Sequence, residues 1–418
     1  MDPDGDALMW RRFRSFDRSV QLLMVNQFAI NVGFYMLMPY LAGHLSDRLF
    51  MAAWAVGLVL GMRSLSQQGL FLLGGTLADR LGYRPVIIAG CLLRTVGFGL
   101  LGFVDTLPAL LVASALTGFA GALFNPAVRA YVAHGAGERR VEAFALFNVF
   151  YQAGILLGPL IGVALLAVDF RLVCMVAAGV FAALTLLQLS ALPPCHNEKP
   201  QRGSVLADWR DVAANRPFRM FALAMVGSYV LSFQIYLALP LALGDDDAVS
   251  ALFVVSALVA LLGQMHVTDW ARRRWTASQA IARGLALMGL AFVPLIPYGV
   301  AGAPVPVAAA LACTVLLTLG TVLAYPFEMD TVVALSGGHR VATHYGFYNT
   351  VAGIGVATGN FAVGRLLDLG SAWAWTGLAF TGAAGAVAVR RLEWDRGTAG
   401  RYRLWGRPRR TSSTDTRL

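Results

Sequence analysis

Long apolar stretches separated by short polar segments occupy the chain from residue 20 to residue 390. Each stretch is about 20 residues or longer, the length that an α-helix needs to cross the hydrocarbon core of a bilayer. The stretches are nearly uninterrupted, whereas a strand of a membrane barrel is shorter and alternates apolar with polar residues. The pattern predicts twelve membrane-spanning helices, at residues 20–42, 52–78, 85–104, 108–132, 141–168, 170–192, 217–243, 248–268, 277–299, 305–328, 342–367 and 371–390.

The composition agrees with a protein embedded in a membrane. Hydrophobic residues make up 57% of the chain and charged residues 13%, and the mean hydropathy is +0.64, whereas about a quarter of the residues of a soluble domain are charged. The polar segments carry neither a phosphate-binding glycine loop nor a cluster of metal ligands. The four cysteines are scattered without metal-like spacing, and we interpret them as packing residues. The sequence therefore predicts no enzyme activity, no cofactor, no metal site and no ATP-driven transport.

The placement of arginines predicts the orientation of the chain. Short loops rich in Lys and Arg stay in the cytoplasm, and the arginines concentrate on the side that carries both termini, whereas acidic residues such as Asp105 and Asp169 lie in the other loops. We expect a multi-pass protein of the plasma (inner) membrane with both termini cytoplasmic. The polar N-terminus leads to no short apolar region with a cleavage site, which argues against a cleaved signal peptide. The net charge of +10 reflects this topology and contact with anionic lipid, and nucleic-acid binding is not predicted.

The two halves of the chain share a spaced pattern, which is typical of transporters with a substrate path between repeated bundles. A charged turn with Asp79 in the first half recurs in weaker form at Asp269. We predict an N-terminal six-helix bundle at 1–192, a cytoplasmic linker with an amphipathic helix at 193–216, a C-terminal six-helix bundle at 217–392 and a basic cytoplasmic tail at 393–418. The aligned residues of helices five and eleven are Phe147, Asn148, Gly154, Gly158 and Pro159 with Tyr348, Asn349, Gly355, Gly359 and Asn360, each pair 201 positions apart.

The turn between the second and third predicted helices reads Gly75-Thr76-Leu77-Ala78-Asp79-Arg80-Leu81-Gly82-Tyr83-Arg84-Pro85. With the two six-helix halves, it resembles the signature of the major facilitator superfamily. The resemblance implies an all-α membrane protein of twelve transmembrane helices in two pseudo-symmetric six-helix bundles. Helix five resembles the antiporter pattern of that superfamily at Gly154, Gly158, Pro159 and Gly162. Arg63 to Gln68 in helix two and Phe124 to Pro126 in helix four are similar to the MdtH-type, drug:proton antiporter-like branch.

The resemblance also implies a conformational latch at this turn. In resembling proteins the aspartate bridges toward helix eleven and toward an arginine at the cytoplasmic end of helix four, roles that map here to the region of Gly353 and to Arg129. The alternative is that the charges of the turn are solvated topology determinants. The latch set is Gly75, Asp79, Arg80, Gly82, Arg84 and Arg129.

Proton coupling requires a group that changes charge during the transport cycle. Many drug antiporters that resemble this chain use an acidic residue in helix one, but here that helix carries Asn26, Gln27 and Asn31. An alternative role for the candidate carboxylates is to pair with cytoplasmic arginines. The alternative for the candidate histidine is an ordinary position at a helix end. The candidates are Glu328 and Asp330 near the inner end of helix ten, Asp79 together with Arg129, and His266 near the inner end of helix eight.

Substrate recognition is expected from polar and aromatic residues that face the cleft between the halves. Arg63 and Arg94 fall inside predicted spans, where an ionisable side chain costs about 3 kcal/mol or more on insertion scales. Arg63 is expected in the central cavity unless it anchors helix packing, and the side chain of Arg94 has the length to snorkel. A buried amide can also be only an interhelical hydrogen bond. The cavity candidates are Asn31, Tyr35, Arg63, Gln67, Asn125, Asn148, Gln152, Tyr229, Gln234, Tyr236, Asn349 and Asn360.

These patterns predict a monomeric secondary active transporter that exports drug-like or amphipathic small molecules by alternating access, coupled to protons. Two alternatives stay open, namely proton-coupled transport of a physiological metabolite and a membrane sensor that keeps the same fold without transporting. An intramembrane enzyme acting on lipid would need clustered catalytic groups at one depth, which the sequence does not contain.

Overall fold

A computed structural model of the protein describes residues 3–51, 53–195, 204–243, 246–392, 394–396 and 402–404. Its described elements are helices apart from a short antiparallel pair, β1 (Trp394–Arg396) and β2 (Tyr402–Leu404). The rest of the predicted basic tail, at 397–401 and 405–418, lies outside the described residues. The same holds for residues 196–203 of the predicted linker.

The first half of the chain forms six membrane crossings after a short helix α1 (Pro3–Arg14). Pro39 falls in the first turn of α3, where a missing backbone N–H is tolerated, so the first crossing is divided into two helices. The crossings are α2 (Arg18–Tyr35) with α3 (Met38–Gly43), α4 (Ala53–Leu81), α5 (Tyr83–Leu101), α6 (Leu107–Ala136), α7 (Arg140–Leu166) and α8 (Phe170–Ala191).

The second half follows the linker helix α9 (Val205–Ala214) and repeats the arrangement of six crossings. The fourth crossing of this half, α15 (Val307–Ser336), continues eight residues beyond the end predicted for it at residue 328. The crossings are α10 (Arg216–Ser232) with α11 (Ala238–Leu243), α12 (Asp246–Arg274), α13 (Ala277–Leu290) with α14 (Ile296–Ala301), α15 (Val307–Ser336), α16 (Val341–Leu369) and α17 (Ser371–Arg391).

The prediction of twelve membrane helices is confirmed. Ten stretches of the described chain are long and apolar enough to cross a membrane, and one of them, Leu107–Leu166, contains both α6 and α7. Helix α4 is long enough to cross but lies outside these stretches. Its polar residues Arg63, Gln67 and Gln68 lower its mean hydropathy, and they mark it as a helix that faces other helices or a cavity rather than lipid.

The repeat seen in the sequence is a repeat of helix packing. Gly158 brings α7 against α2, because a Cβ at this position would lie 2.7 Å from the Cβ of Tyr35. Gly359, its counterpart in the second half, brings α16 against α10, because a Cβ there would lie 2.5 Å from Cγ2 of Val230. Small residues at such crossings let two membrane helices approach closely. In each half, an equivalent glycine therefore lets two helices pack closely together; we call these two contacts the glycine staples.

The halves meet through α4 with α16, α7 with α12 and α15, and α6 with α16. We call the membrane face that carries the turn between α4 and α5, together with α9, the linker face, and we call the other the opposite face. Near the linker face α4 and α16 touch closely, and a Cβ on Gly346 would overlap the carbonyl oxygen of Phe71. Further along, a Cβ on Gly353 would lie 2.9 Å from the side-chain amide of Gln68.

Beyond this level α4 and α16 separate. Gly61 and Ser64 continue the face of α4 that touches α16, and both are exposed. On α16 the same face continues to Phe361, which is 73% exposed, and to Gly364, where an added Cβ would have no neighbour within 4 Å. The helices α4 and α16 therefore close the cleft between the halves at the linker face and lie apart toward the opposite face.

Candidate functional site

Asp79 joins the two halves at the linker face. It lies in the last turn of α4, and its buried carboxylate accepts hydrogen bonds from the backbone N–H groups of Ala342 at 3.2 Å and Thr343 at 2.6 Å. The Thr343 hydroxyl donates a third hydrogen bond at 2.7 Å. These N–H groups belong to the first turn of α16, which has no intrahelical acceptors and carries the positive end of the helix dipole. The carboxylate of one half thus caps a helix of the other.

Glycines allow this contact. A Cβ on Gly75 would overlap the carbonyl oxygen of Ala342, so only glycine lets α4 come this close to α16. Gly82 ends the turn with φ +93, a left-handed conformation that glycine adopts at little cost. Tyr83, directly after it, donates its hydroxyl at 3.3 Å to Oδ1 of Asp79, the oxygen that also accepts from the Ala342 N–H.

Asp79 bonds to helix eleven, as the family resemblance implies, but at the first turn of that helix rather than near Gly353, and its described hydrogen bonds do not include Arg129. Arg129 lies seven residues before the end of α6, about 10 Å inside the helix, whereas Asp79 lies two residues before the end of α4. Arg129 donates instead to Asn349 at 3.2 Å, and Gly353 faces Gln68. The structure therefore separates the expected latch into two levels, with Asp79 near the surface and Arg129 deeper in the protein.

The linker helix α9 forms part of the closed linker face. Asp208 is only 1% exposed, and it pairs with Arg80 of α4 at 2.9 Å and with Arg340, just before α16, at 2.9 Å. The indole N–H of Trp209 donates to the hydroxyl of Thr76 on α4 at 2.8 Å. One helix of the linker is thus bonded to both halves. Arg84, by contrast, donates to the carbonyl of Leu189 at 2.6 Å within the first half.

Further ion pairs cross between the halves on the same face. Arg140 at the start of α7 pairs with Asp330 at 2.7 Å, which is the arginine-pairing alternative considered for this carboxylate. Asp269, the counterpart of Asp79 in the second half, pairs with Arg12 of α1 at 2.5 Å and therefore makes a different contact from Asp79. Arg272 and Glu142 add a longer pair at 3.8 Å.

A buried carboxylate lies deeper, where the halves meet. Glu328 is 3% exposed and sits eight residues before the end of α15, about 12 Å inside the helix. Its Oε1 accepts from the hydroxyls of Tyr229 at 2.9 Å and Tyr348 at 2.5 Å. Arg129 of the first half acts on it electrostatically, without a contact within 4 Å among the described ion pairs. The neighbouring Asn349 holds the guanidinium of Arg129 in place.

His266 lies outside this site. It is exposed, and its ring nitrogen is 3.2 Å from the carbonyl of Leu262 in its own helix. The interior face of α12 is marked by Gln264, which is fully buried and accepts from Asn148 of α7 at 2.5 Å. Residues two positions apart point to opposite sides of a helix. The structure thus places His266 on the outside of the bundle.

A cationic cluster occupies the interior of the first half. Arg63 is half-buried, donates to the side-chain oxygen of Gln67 at 3.0 Å and lies 5.0 Å above the ring of Phe34. Arg94 is buried and lies 5.9 Å from the same ring, with Phe181 on another side at 5.6 Å. Its Nε has no hydrogen-bond partner within the described part of the chain.

The other candidate polar residues occupy several positions between the helices. Asn148 bonds across the halves, whereas Asn31 donates to the Tyr151 carbonyl at 3.2 Å within the first half. Gln234 donates to Asn360 at 3.2 Å within the second half. The half-buried or exposed members of the candidate set are Tyr35, Arg63, Gln67, Asn125, Gln152, Tyr229, Asn360 and Tyr236, the last of which is 53% exposed and packs on Phe253 at 5.2 Å.

Sequence reasoning did not anticipate several residues of the site. Asp208 and Thr343 complete the closed linker face, but their partners lie 128 and 264 positions away in the chain, and no local pattern signals such pairs. Tyr348 differs from these residues because the sequence does carry a signal for it. It aligns with Phe147 in the repeat, so only the second copy has a hydroxyl group at this position. That difference was a usable signal for the carboxylate site.

Known proteins share both the sequence and the architecture. An uncharacterized MFS-type transporter of Mycobacterium tuberculosis is 51% identical over 410 residues, which cover 94% of this chain and 97% of the relative. A multidrug resistance protein MdtH of Salmonella schwarzengrund is 30% identical over 379 residues, covering 89% of this chain and 92% of the relative. The crystal structure of the human organic anion transporter MFSD10 (TETRAN) has a TM-score of 0.71 at 16% identity, covering 89% of this chain and 99% of that one.

The family follows from these matches and from the packing of the two halves. Residues 23–360 match the Major Facilitator Superfamily, a range that runs from α2 through the linker and into α16 of the second bundle. A multi-pass membrane location is part of that assignment, and so is transport of small molecules rather than an enzymatic reaction. The chain belongs to the major facilitator superfamily of membrane transporters.

Proposed function

We propose that this transporter exports drug-like, amphipathic small molecules in exchange for protons. The observation that carries the proposal is Glu328, a carboxylate buried where the halves meet and held by two tyrosine hydroxyls instead of a contacting cation. Such a group can bind a proton in one state and release it in another, because its surroundings stabilise both forms. The phenol donors and Arg129 stabilise the charge, and exclusion of water stabilises the neutral acid.

The orientation in the membrane is also part of the proposal. Arginines cluster at the linker face, where α4, α7, α12 and α16 meet. Because short segments rich in arginine remain in the cytoplasm, we assign the linker face to the cytoplasm and both termini with it, in the inner membrane. The closed linker face is then the cytoplasmic gate, and the cleft opens to the outside.

The transport cycle that we propose is alternating access by a monomer. Proton binding at Glu328 neutralises the carboxylate that interacts with Arg129, which changes the electrostatic balance between α15 and α6. The cytoplasmic ion pairs then separate, and the cleft opens to the cytoplasm. The glycine staples at Gly158 and Gly359 let each bundle move as a unit, as rocking of one half against the other requires.

Proteoliposomes with an imposed pH gradient test this function. Purified protein is reconstituted with compounds from an amphipathic drug panel, and flux is followed with the gradient inward, outward or absent. We expect substrate to move against the direction of proton flow, and equal flux under all three conditions would contradict proton antiport. A panel of physiological metabolites run alongside distinguishes a metabolite transporter, and binding of a compound without flux would favour a sensor.

A further inference from the structure

The interior of the first half carries positive charge without acidic partners. The acidic residues that follow α1 in this half, Asp17, Asp47, Asp79, Asp105, Glu138, Glu142 and Asp169, all lie at or beyond the ends of membrane helices. Arg63 and Arg94, in contrast, lie well inside α4 and α5. Neither of them takes part in an ion pair within the described residues.

Both guanidinium groups lie near the ring of Phe34, and Arg94 also lies 5.8 Å from the ring of Phe124 and 5.6 Å from that of Phe181. The ring centroid of Phe34 is 5.0 Å from the guanidinium carbon of Arg63 and 5.9 Å from that of Arg94. An aromatic face partly stabilises a cation, but it provides no hydrogen-bond acceptor in the plane of the guanidinium. Two like charges that share one ring also repel each other. The cluster is therefore electrostatically incomplete as it stands.

Arg63 has the geometry to bind an anion. Gln67 accepts one hydrogen bond from its Nη1, at 3.0 Å, so other N–H donors of the guanidinium remain available. The side chain is half-buried, whereas Arg94 behind it is 6% exposed, so Arg63 is the member of the pair that a ligand in the cleft can reach. A planar guanidinium binds a carboxylate or sulfonate through two parallel hydrogen bonds.

The neighbouring side chains are aromatic. Tyr35 follows Phe34 on α2 and lies beside Tyr151 of α7. Tyr236 of the second half lies near these two tyrosines, and it is 53% exposed. A ligand anchored at Arg63 would therefore have an aromatic wall from both halves beside its apolar body.

We propose that Arg63 is the anchor for the anionic group of an amphipathic aryl anion, and that organic anions are the substrate class of this transporter. This inference rests on the proposed export function and names its substrate. The anion would supply the counter-charge that Arg63 and Arg94 lack within the protein. Export of a monoanion in exchange for one proton would move two charges inward per cycle, so transport would be electrogenic.

Equilibrium binding to the purified protein in nanodiscs tests the anchor without any gradient. The probes are 2-naphthoate and 2-naphthamide, which share the aromatic body and differ in charge. We expect the wild type to bind the carboxylate at least ~10-fold more tightly than the amide, the ratio typical of one charge-assisted hydrogen bond. Arg63→Gln is expected to remove this preference while amide binding stays unchanged, and Arg63→Lys to retain part of it.

Arg171→Gln provides the matched control, because this arginine is exposed in the first turn of α8. It should leave the preference for the anion intact. Equal binding of both probes by the wild type, absence of binding of the anion, or an unchanged preference in Arg63→Gln would each overturn the inference. Thermal unfolding of every variant shows whether it is folded.

Flux measurements separate the two proposals. Anion-selective binding without a pH-driven flux would contradict proton-coupled export and leave the anchor standing. A pH-driven flux that does not depend on the charge of the probe would contradict the role of Arg63 as the anion anchor and leave the proposal of proton-coupled export standing. With both in place, an inside-negative potential set with potassium and valinomycin should accelerate export of 2-naphthoate.

Discussion

The carboxylate of Asp79, at the end of α4, accepts hydrogen bonds from both the backbone N–H and the hydroxyl of Thr343, at 2.6 and 2.7 Å, in the first turn of α16. The two residues belong to different halves of the transporter, so this contact exists only while the linker face is closed. Opening that face leaves a carboxylate and the end of a helix to be solvated separately. The contact therefore favours the closed state.

Asp79→Asn should shift the protein toward a state that is open at the linker face. Hydrogen bonds to a charged group contribute about 1.5–3 kcal/mol each, and the amide retains only part of this interaction. We expect at least a tenfold rise in the open population, a fall in transport rate and normal membrane insertion. Spin labels at His134→Cys and His339→Cys, which are exposed on the two halves, report the distance across the face by double electron–electron resonance. An unchanged distance distribution together with normal transport would refute a latch at this position.

Glu328→Gln should uncouple transport from the proton gradient. The glutamine amide still accepts hydrogen bonds from Tyr229 and Tyr348, but it cannot bind and release a proton as a carboxylate does. We expect pH-driven accumulation to be lost and gradient-free counterflow to continue. The control is Asp330→Asn, two positions on, whose partner is Arg140. If Asp330→Asn abolished the pH dependence and Glu328→Gln preserved it, the proton carrier would be Asp330 instead.

Asp208→Asn should weaken the linker-face closure through α9. Its carboxylate is buried between Arg80 and Arg340, and loss of one partner of a buried ion pair costs about 3–5 kcal/mol, less here because the arginines are partly solvated. We expect a larger open population in the same spin-label experiment. Asp211→Asn is the matched control, because Asp211 also pairs with Arg340 but its side chain is 61% exposed. Equal effects of the two substitutions would mean that burial of Asp208 is not what matters.

Gly158→Ala should separate α7 from α2. A new methyl group would lie 2.7 Å from the Cβ of Tyr35, so the helices must move apart, at a typical cost of about 1–3 kcal/mol. We expect a lower Tm in detergent and slower transport. Gly179→Ala on α8 is the control, since its Cβ would meet nothing within 4 Å and alanine favours a helix over glycine by about 1 kcal/mol. A Tm of Gly158→Ala equal to that of Gly179→Ala would argue against close packing at this crossing.

The sequence was sufficient to predict the helices and their repeat, because both are set by local physical chemistry. Apolar runs of the length of a bilayer specify crossings, and glycines spaced by four residues mark a face where another helix approaches. Gly158 and Gly359 show this directly, since each contacts the first helix of its own half. The predicted end of α15 falls eight residues short, because Glu328 and Asp330 interrupt the apolar run without ending the helix.

The pairing of charges could not be predicted in the same way. Asp208 lies on a short amphipathic helix that the sequence places at the membrane surface, yet its side chain is buried between arginines of both halves. Which arginine meets which carboxylate depends on how the two bundles meet, and that arrangement has no counterpart in sequence spacing. The same reason explains why Arg129 pairs with Asn349 rather than with Asp79.

The covalent attachment of α9 has a consequence for the return of the transporter to its closed state. Because α9 is tethered to both bundles, Asp208 stays near Arg80 and Arg340 after their contacts break, at an effective concentration set by the short connecting chain and of order millimolar. Re-formation of these pairs is then an intramolecular step that does not depend on protein concentration. The linker thus binds intramolecularly to the two arginines that close the linker face. Cleavage of the linker by a protease should slow closure even when every ion-pairing residue is still present.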